Sequence, residues 1–377
     1  MKLLHLSDLH LGKRVNEFSM LADQAYILQQ ILEIADAQKV DGVLIAGDVY
    51  DKTVPPAEAV TLFDHFLTAL AARQIPVFLI SGNHDSAERL AFGAALMDGR
   101  GVYVSPVYDG TVRSVALQDA FGTVEIHLLP FLKPAMVRHA WPEETIETYD
   151  EAVGCAIDHM TLDGAARHVL LSHQFVAGSA RCESEEVSVG GLDQVDAARY
   201  APFDYVALGH LHGPQNPAPN LRYCGTPLKY SFSEVHHRKS VTVVELRQKG
   251  CVEVTEVPLT PLRDLREVRG SYLTLTARDT YEGTAVEDYL HIILTDEDEV
   301  PDAAAKLRTI YPNLMRLSYD NQRMRASALP LEQTAEAEKT PLTLLEEFYT
   351  LQNGAPMEEE QCAFARRIIE EIWEGAQ

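Results

Sequence analysis

Val77-Phe78-Leu79-Ile80-Ser81-Gly82-Asn83-His84-Asp85 decides the fold. Its apolar run reads as a strand buried on both faces. Gly-Asn-His-Asp follows at the carboxyl end, where open α/β sheets place their chemistry. Gly82 is expected to let the backbone turn sharply. Asn83 offers a neutral oxygen ligand and His84 a proton donor. A strand followed by a polar turn is ordinary by itself. It becomes informative because four other strands of this chain end the same way.

Upstream, Lys2–Ser7 is a strand closed by Asp8-Leu9-His10, whose Asp and His point the same way in extended backbone. The segment 41–46 is another, ending in Gly47-Asp48, with Asp51 three residues on. Downstream, His168–Ser172 runs into His173, and the segment 203–208 into Gly209-His210-Leu211-His212. Helical spacing is expected over 18–39, 56–73, 86–97 and 148–162, the second opened by Pro55-Pro56. Short strands are expected over 101–104, 110–117 and 123–129, and a hairpin over 240–245 and 251–257. The expected fold is therefore an α/β sandwich of two packed mixed sheets flanked by helices.

Pro258-Leu259-Thr260-Pro261 marks a boundary after a first domain of residues 1–257. A small α/β cap is expected over 262–325, with strands at 271–276, 291–294 and 314–319 and helices at 284–290 and 301–311. A polar linker over 326–340 leads to a helical tail, 341–377. There Leu344, Leu345, Phe348 and Leu351 form one apolar stripe, and Phe364, Ile368, Ile369, Ile372 and Trp373 another.

The 377 residues carry a net charge of −24, which argues against a free-standing nucleic-acid binder. A nucleic-acid enzyme stays open to the chain if divalent metals offset its carboxylates and a partner supplies basic surface. No apolar run approaches the roughly 18 residues of a membrane span. The N-terminus enters a strand at once without a signal-peptide core, so a cytoplasmic location is expected. Five scattered cysteines form no C-x-x-C pair and indicate neither a disulfide framework nor a structural zinc site. The acidic groups Glu183, Glu185 and Glu186, and Glu358–Glu360, read as solvated charge.

The strand ends deliver seven candidate metal ligands: Asp8, His10, Asp48, Asn83, His173, His210 and His212. Mixed nitrogen and oxygen donors without thiolate suit Mn²⁺, Fe²⁺ or Zn²⁺ better than Mg²⁺. Seven donors suit two ions sharing a carboxylate, an arrangement used for phosphate ester hydrolysis.

This series resembles the calcineurin-like metallophosphoesterase superfamily over residues 1–257. Lys2–Gly12, Ser81–Ser86, Ser172–Phe175 and Gly225–Glu234 are similar to its bacterial DNA repair nucleases, a similarity that extends over nearly the whole chain. The resemblance implies that Asp8, His10, Asp48 and His212 hold one ion. It implies that Asp48, Asn83, His173 and His210 hold the second, with Mn²⁺ the favoured metal. His84 would contact the scissile phosphate and assist the leaving oxygen. Relatives from other domains of life carry a second catalytic histidine where this chain has Asp51. Asp51 is expected instead to orient His84 through its carboxylate.

Arg89, Lys229 and Tyr230 are candidate DNA contacts at the rim. The resemblance further implies metal-dependent endonuclease and exonuclease activity on DNA ends and hairpins, in company with an SMC-like ATPase. It also implies a homodimer through the helices at 56–73 and 86–97. The tail is expected to dock on the ATPase. A phosphatase or phosphodiesterase acting on small molecules or nucleotides would use the same core motifs and is the alternative.

Overall fold

The computed structural model describes residues 1–182, 193–321, 341–353 and 356–369. Its two large sheets are built from β1 (Lys2–Leu6), β2 (Gly42–Ala46), β3 (Val77–Ile80), β4 (Val102–Val104), β5 (Arg113–Asp119), β6 (Gly122–Leu128), β7 (Arg167–His173), β8 (Tyr205–Gly209), β9 (Gln215–Ala218), β10 (Leu221–Tyr223), β11 (Ser240–Leu246) and β12 (Val252–Pro258). One sheet has the order β12-β11-β1-β2-β3-β4 and the other β9-β10-β8-β7-β6-β5. β1 to β4 run parallel, as do β6, β7, β8 and β10, while hairpin partners add antiparallel edges. This is the expected two-sheet sandwich.

Parallel strands covered on both faces run largely apolar, and β2 (Gly-Val-Leu-Ile-Ala), β3 (Val-Phe-Leu-Ile) and β8 (Tyr-Val-Ala-Leu-Gly) are buried along their whole length. Leu3, Leu44, Phe78 and Ile80 of one sheet meet Ile126, Val169, Leu171 and Ala207 of the other and fill the space between them. Leu4, Leu6, Val43, Ile45 and Leu79 point the other way, beneath the helices Leu21–Gln38 and Ala57–Ala72. His5 sits in the inter-sheet layer, its Nδ1 2.9 Å from the Tyr205 hydroxyl. Burial pushes that imidazole down to about 3, so it is neutral.

Several expected boundaries differ. The segment 86–97 is two single-turn pieces, Ala87–Leu90 and Ala94–Met97, because Gly93 adopts a left-handed φ of 73° between them. Tyr272–Thr276 is a short helix, not a strand: the Ser271 side chain accepts from the Thr274 N–H and caps it. The strand of that region is Leu265–Gly270, parallel to Tyr289–Leu294, which in turn runs parallel to Leu314–Tyr319. The helix expected over 284–290 is absent. Arg278–Tyr281 is helical and Tyr289 already belongs to the strand.

This small three-stranded unit packs on the helix Leu21–Gln38 through Asp23. The carboxylate accepts from Arg263 Nε at 3.1 Å and from the Tyr289 hydroxyl at 2.8 Å. The Arg263 guanidinium lies over the Tyr289 ring, 4.8 Å from its centroid. In the tail, Pro341–Asn353 and Glu359–Ile369 are helical and touch each other, Gln361 donating to the Tyr349 hydroxyl at 3.2 Å. The expected linker, Glu183, Glu185, Glu186, Ile372 and Trp373 lie outside the described residues, and Glu358–Glu360 are exposed. No helix among the described residues is long and apolar enough to cross a membrane.

Candidate metal centre

Both sheets present carboxyl ends to the same edge of the sandwich, and the polar residues gather there. β1 leads to Asp8 and His10, β2 to Asp48, β3 to Asn83 and His84, β7 ends in His173, and β8 leads to His210 and His212. Four of these residues sit in the left-handed region that L side chains avoid: Asp8 at φ 51°, His10 at 44°, Asp48 at 49° and His210 at 99°. Such strain persists only where surrounding structure enforces it, and it marks functional loops. Here it turns each side chain inward just beyond its strand.

Gly82 serves differently from expectation. Its φ is not left-handed; its role is close approach. A Cβ there would stand 2.1 Å from Asp48 Oδ1 and 2.5 Å from the Asp48 nitrogen. Gly47 does need its positive φ of 87°, and a Cβ on it would strike His173 Nδ1 at 2.4 Å.

All seven candidate ligands converge. Asp8, His10 and His212 bring donor atoms within 4.8 Å of one another, as do Asp8, Asp48 and His173. Asp48 Oδ2 lies centrally, 3.3 Å from His173 Nε2 and 3.7 Å from His10 Nε2. Asn83 Oδ1 lies 3.0 Å from His173 Nε2 and 3.1 Å from His210 Nδ1. Both ring nitrogens of His10 are buried without a hydrogen-bond partner. Orphaned buried nitrogens are rare unless something is meant to bind them. They and the oxygen–nitrogen donor set fit divalent cations.

His173 and His212 are each held by the far nitrogen, which leaves the near one turned inward. His173 Nδ1–H donates to the Ala46 carbonyl at 2.8 Å. His212 Nδ1–H donates to Glu234 Oε1 at 3.0 Å. Glu234 is fully buried and its other oxygen accepts from Lys239 Nζ at 2.6 Å. The Asp8 carboxylate accepts the His210 backbone N–H at 3.0 Å, joining the two sheets.

The electrostatics are those of crowded, dry groups. Burial, helped by Asp48 nearby, pushes Asp8 up to about 6 although His173 pulls the other way. Burial also disfavours the charge on Asp48, but His173, His84 and His10 outweigh it and hold Asp48 well below the usual carboxylate range. Burial and the neighbouring His173 press His210 down to about 3. Burial would press His173 down as well, but the Asp48 and Asp8 carboxylates outweigh it and raise His173 to about 9. A firmly ionised Asp48 carboxylate thus stands at the centre of the cluster, as a cation site requires.

His84 stands at the mouth, partly exposed. Its Nδ1–H donates to the backbone carbonyl of Asp51 at 3.1 Å, and its Nε2 lies 3.9 Å from Asp48 Oδ2. The Asp51 carboxylate does not touch it. That carboxylate pairs with Lys13 Nζ at 2.7 Å, with His10 Nδ1 3.9 Å away. A side chain two rotatable bonds long can turn from His84 to a lysine, which the sequence cannot disclose.

The rim assignments divide. Arg89 is exposed and anchored to the Thr53 carbonyl at 2.9 Å. Lys229 is drawn away to Asp264 at 2.9 Å, joining the first domain to the small unit. Tyr230 is not at the rim: it is buried, its hydroxyl donating to the Leu9 carbonyl at 2.6 Å and accepting from Gln24 at 3.0 Å. It braces the Asp8–Gly12 turn from behind because its apolar ring packs beneath His10. Reasoning from sequence missed Asp85, whose carboxylate accepts the N–H groups of Val49, Tyr50 and Gly82 at 3.1, 3.0 and 3.0 Å. It also missed Glu234 as the partner of His212. Both end quoted motifs, which was the available signal.

Residues 1–214 match the calcineurin-like phosphoesterase family. Residues 261–353 match the family described as the type 5 capsule protein repressor C-terminal domain, SbcD_C. A protein of Staphylococcus saprophyticus, named as the D component of nuclease SbcCD, is 31% identical over 99% of both chains. Its namesake from Staphylococcus epidermidis is 33% identical over 84% of this chain and 85% of its own. A dimetal phosphatase from Danio rerio overlays 70% of this chain and 98% of its own at 12% identity and a TM-score of 0.41, too loosely to carry an argument.

Proposed function

The chain belongs to the calcineurin-like phosphoesterase family, and we propose that it is the nuclease subunit of an SbcCD-type complex, a metal-dependent DNA endonuclease and exonuclease that processes ends and hairpins. One observation carries this reading: similarity to a relative named as the D component of nuclease SbcCD runs through 99% of the chain, past residue 261 where a small-molecule phosphatase would have no need of further domains.

In this reading Asp8, His10, Asp48 and His212 would hold one divalent ion, and Asp48, Asn83, His173 and His210 a second. The donor set suits Mn²⁺, Fe²⁺ or Zn²⁺, and the family resemblance favours Mn²⁺ among them. Bound ions would supply Lewis-acid stabilisation of phosphate oxygens and a lowered pKa for water. The chain's residues do the rest. Ala46 and Glu234 fix the tautomers of His173 and His212. The Asp51 carbonyl fixes the ring of His84, whose Nε2 would meet the leaving oxygen.

The partner is an SMC-type ATPase, SbcC, in a heterotetramer. The paired tail helices expose Leu345, Phe348 and Phe364, an apolar surface suited to a groove on that partner. Exposed Val54, Val60, Phe92 and Leu96 lie on or beside the two segments proposed for the homodimer contact. A partner's basic surface would also answer the chain's −24 charge, and the setting is cytoplasmic.

The test is cleavage of hairpin and linear duplex DNA by the purified protein with Mn²⁺, with and without the ATPase. Cleavage abolished by chelator and stimulated by the ATPase supports the reading. Rapid hydrolysis of a small phosphodiester with no cutting of DNA in either setting would overturn it.

A further inference from the structure

A second cluster of metal-binding side chains lies away from the metal centre, on the outer face of the other sheet. Val124, Ile126 and Leu128 of β6 point into the inter-sheet core, so Glu125 and His127 point outward. His168, the second residue of β7, is the direct cross-strand partner of Glu125. Strand alternation thus places the three side chains side by side. Both histidines are buried and Glu125 is half-buried.

Their atoms are spaced as co-ligands are. His127 Nε2 lies 3.0 Å from His168 Nδ1, Glu125 Oε2 lies 3.4 Å from His168 Nδ1, and Glu125 Oε2 lies 3.8 Å from His127 Nε2. Donors about 2.0–2.1 Å from a tetrahedral Zn²⁺ stand about 3.3–3.4 Å apart. The three separations straddle that value.

The histidine orientation agrees. His168 Nε2–H donates to the Asp163 carbonyl at 2.8 Å, which leaves Nδ1 with its lone pair directed at Glu125 and His127. A carbonyl on the far nitrogen is the usual support for a metal-ligating imidazole. The backbone N–H of His168 is also pinned, to Asp204 Oδ2 at 2.8 Å. Phe203 packs its ring edge on His127 and closes the apolar side. Burial, with His168 beside it, pushes His127 down to about 4, so it is neutral.

We propose that Glu125, His127 and His168 form an accessory Zn²⁺ site, with the fourth position open to water on the exposed side of Glu125. Without metal, His127 Nε2–H donates to His168 Nδ1. With metal, the His127 proton resides on Nδ1 and both inward lone pairs coordinate. His168 begins β7 and His173 ends it, so the site lies on the order of 16 Å from the metal centre. Its role is to tie β6 to β7 at the far end of the sheet, leaving the chemistry alone.

Purified full-length protein is loaded with Zn²⁺, freed of excess by gel filtration and analysed for ions per chain, beside Glu125→Gln/His127→Gln and Glu125→Gln alone. Wild type should hold one ion more than the double variant. The double variant should cleave DNA in Mn²⁺ at the wild-type rate. Glu125→Gln, at a half-exposed position that leaves the core intact, should weaken that one Zn²⁺ by about tenfold or more. Co²⁺ in place of Zn²⁺ should give the strong visible absorption of a tetrahedral site in wild type, reduced in Glu125→Gln. Equal ion counts and equal Co²⁺ spectra in wild type and Glu125→Gln would overturn the proposal, whether or not the double variant folds.

Discussion

His84 is held by a backbone atom: its Nδ1–H donates to the carbonyl of Asp51 at 3.1 Å, and the Asp51 carboxylate is committed to Lys13. The two residues therefore separate under mutation. His84→Ala should keep the bound ions and lose about 10²–10⁴-fold in turnover. Asp51→Ala retains the carbonyl and should lose far less. Single-turnover cleavage combined with metal analysis decides. Loss of an ion in His84→Ala would make that histidine a ligand.

Gly82→Ala should empty the metal centre. The new Cβ would overlap Asp48 Oδ1 and the Asp48 nitrogen, neither of which can retreat, since Asp48 Oδ1 also accepts the His84 N–H at 2.9 Å. Calorimetric Mn²⁺ titration should show affinity down by about 100-fold or more, with near-native circular dichroism. Wild-type titration would refute the clash.

Glu234→Gln should act on two levels. It removes the carboxylate that fixes His212, so ion affinity should fall about 10- to 100-fold. It also leaves Lys239, nearly fully buried, beside a neutral amide, which costs about 3–5 kcal/mol of stability. Thermal denaturation in the presence of chelator isolates the second effect.

Asp119 gives the pH prediction. Arg167, buried at the edge of the sandwich, donates to it at 2.5 Å and the Met1 amino group at 2.6 Å, and these hold its carboxyl far below the ordinary 3.8. A folded pKa below the unfolded one contributes stability that is present above about pH 4 and lost as pH falls toward the folded value. Asp119→Asn should lower stability by about 2–3 kcal/mol at pH 7. The gap between variant and wild-type melting curves should stay constant down to about pH 5 and close below about pH 4. A gap independent of pH would remove the ion pair from the account.

Much of the centre was legible because strand and chemistry are written contiguously. Asp8, Asp48, Asn83, His173 and His210 each follow an apolar run within a few residues, so strand ends could be found by pattern and the donors counted. What was not legible depends on distance or direction. Glu234 meets His212 across 22 residues, and Asp23 meets Tyr289 across 266. Tyr230 could be placed near the site but not behind it. In the small unit, Tyr-Leu-Thr-Leu-Thr alternates like a strand, yet a serine cap makes it helical. A single hydrogen bond at Ser271 outweighs a weak period.

The hydrogen bond from His210 to Asp8 spans 202 residues. A ribosome releases Asp8, His10, Asp48 and Asn83 first, and His173, His210 and His212 only after the second sheet has begun to follow. The nascent first sheet, which already displays His84, thus lacks His212 for one proposed ion and both His173 and His210 for the other. The enzyme cannot be armed piecemeal during its own synthesis: competence to cut arrives in one late event, when the second sheet closes on the first.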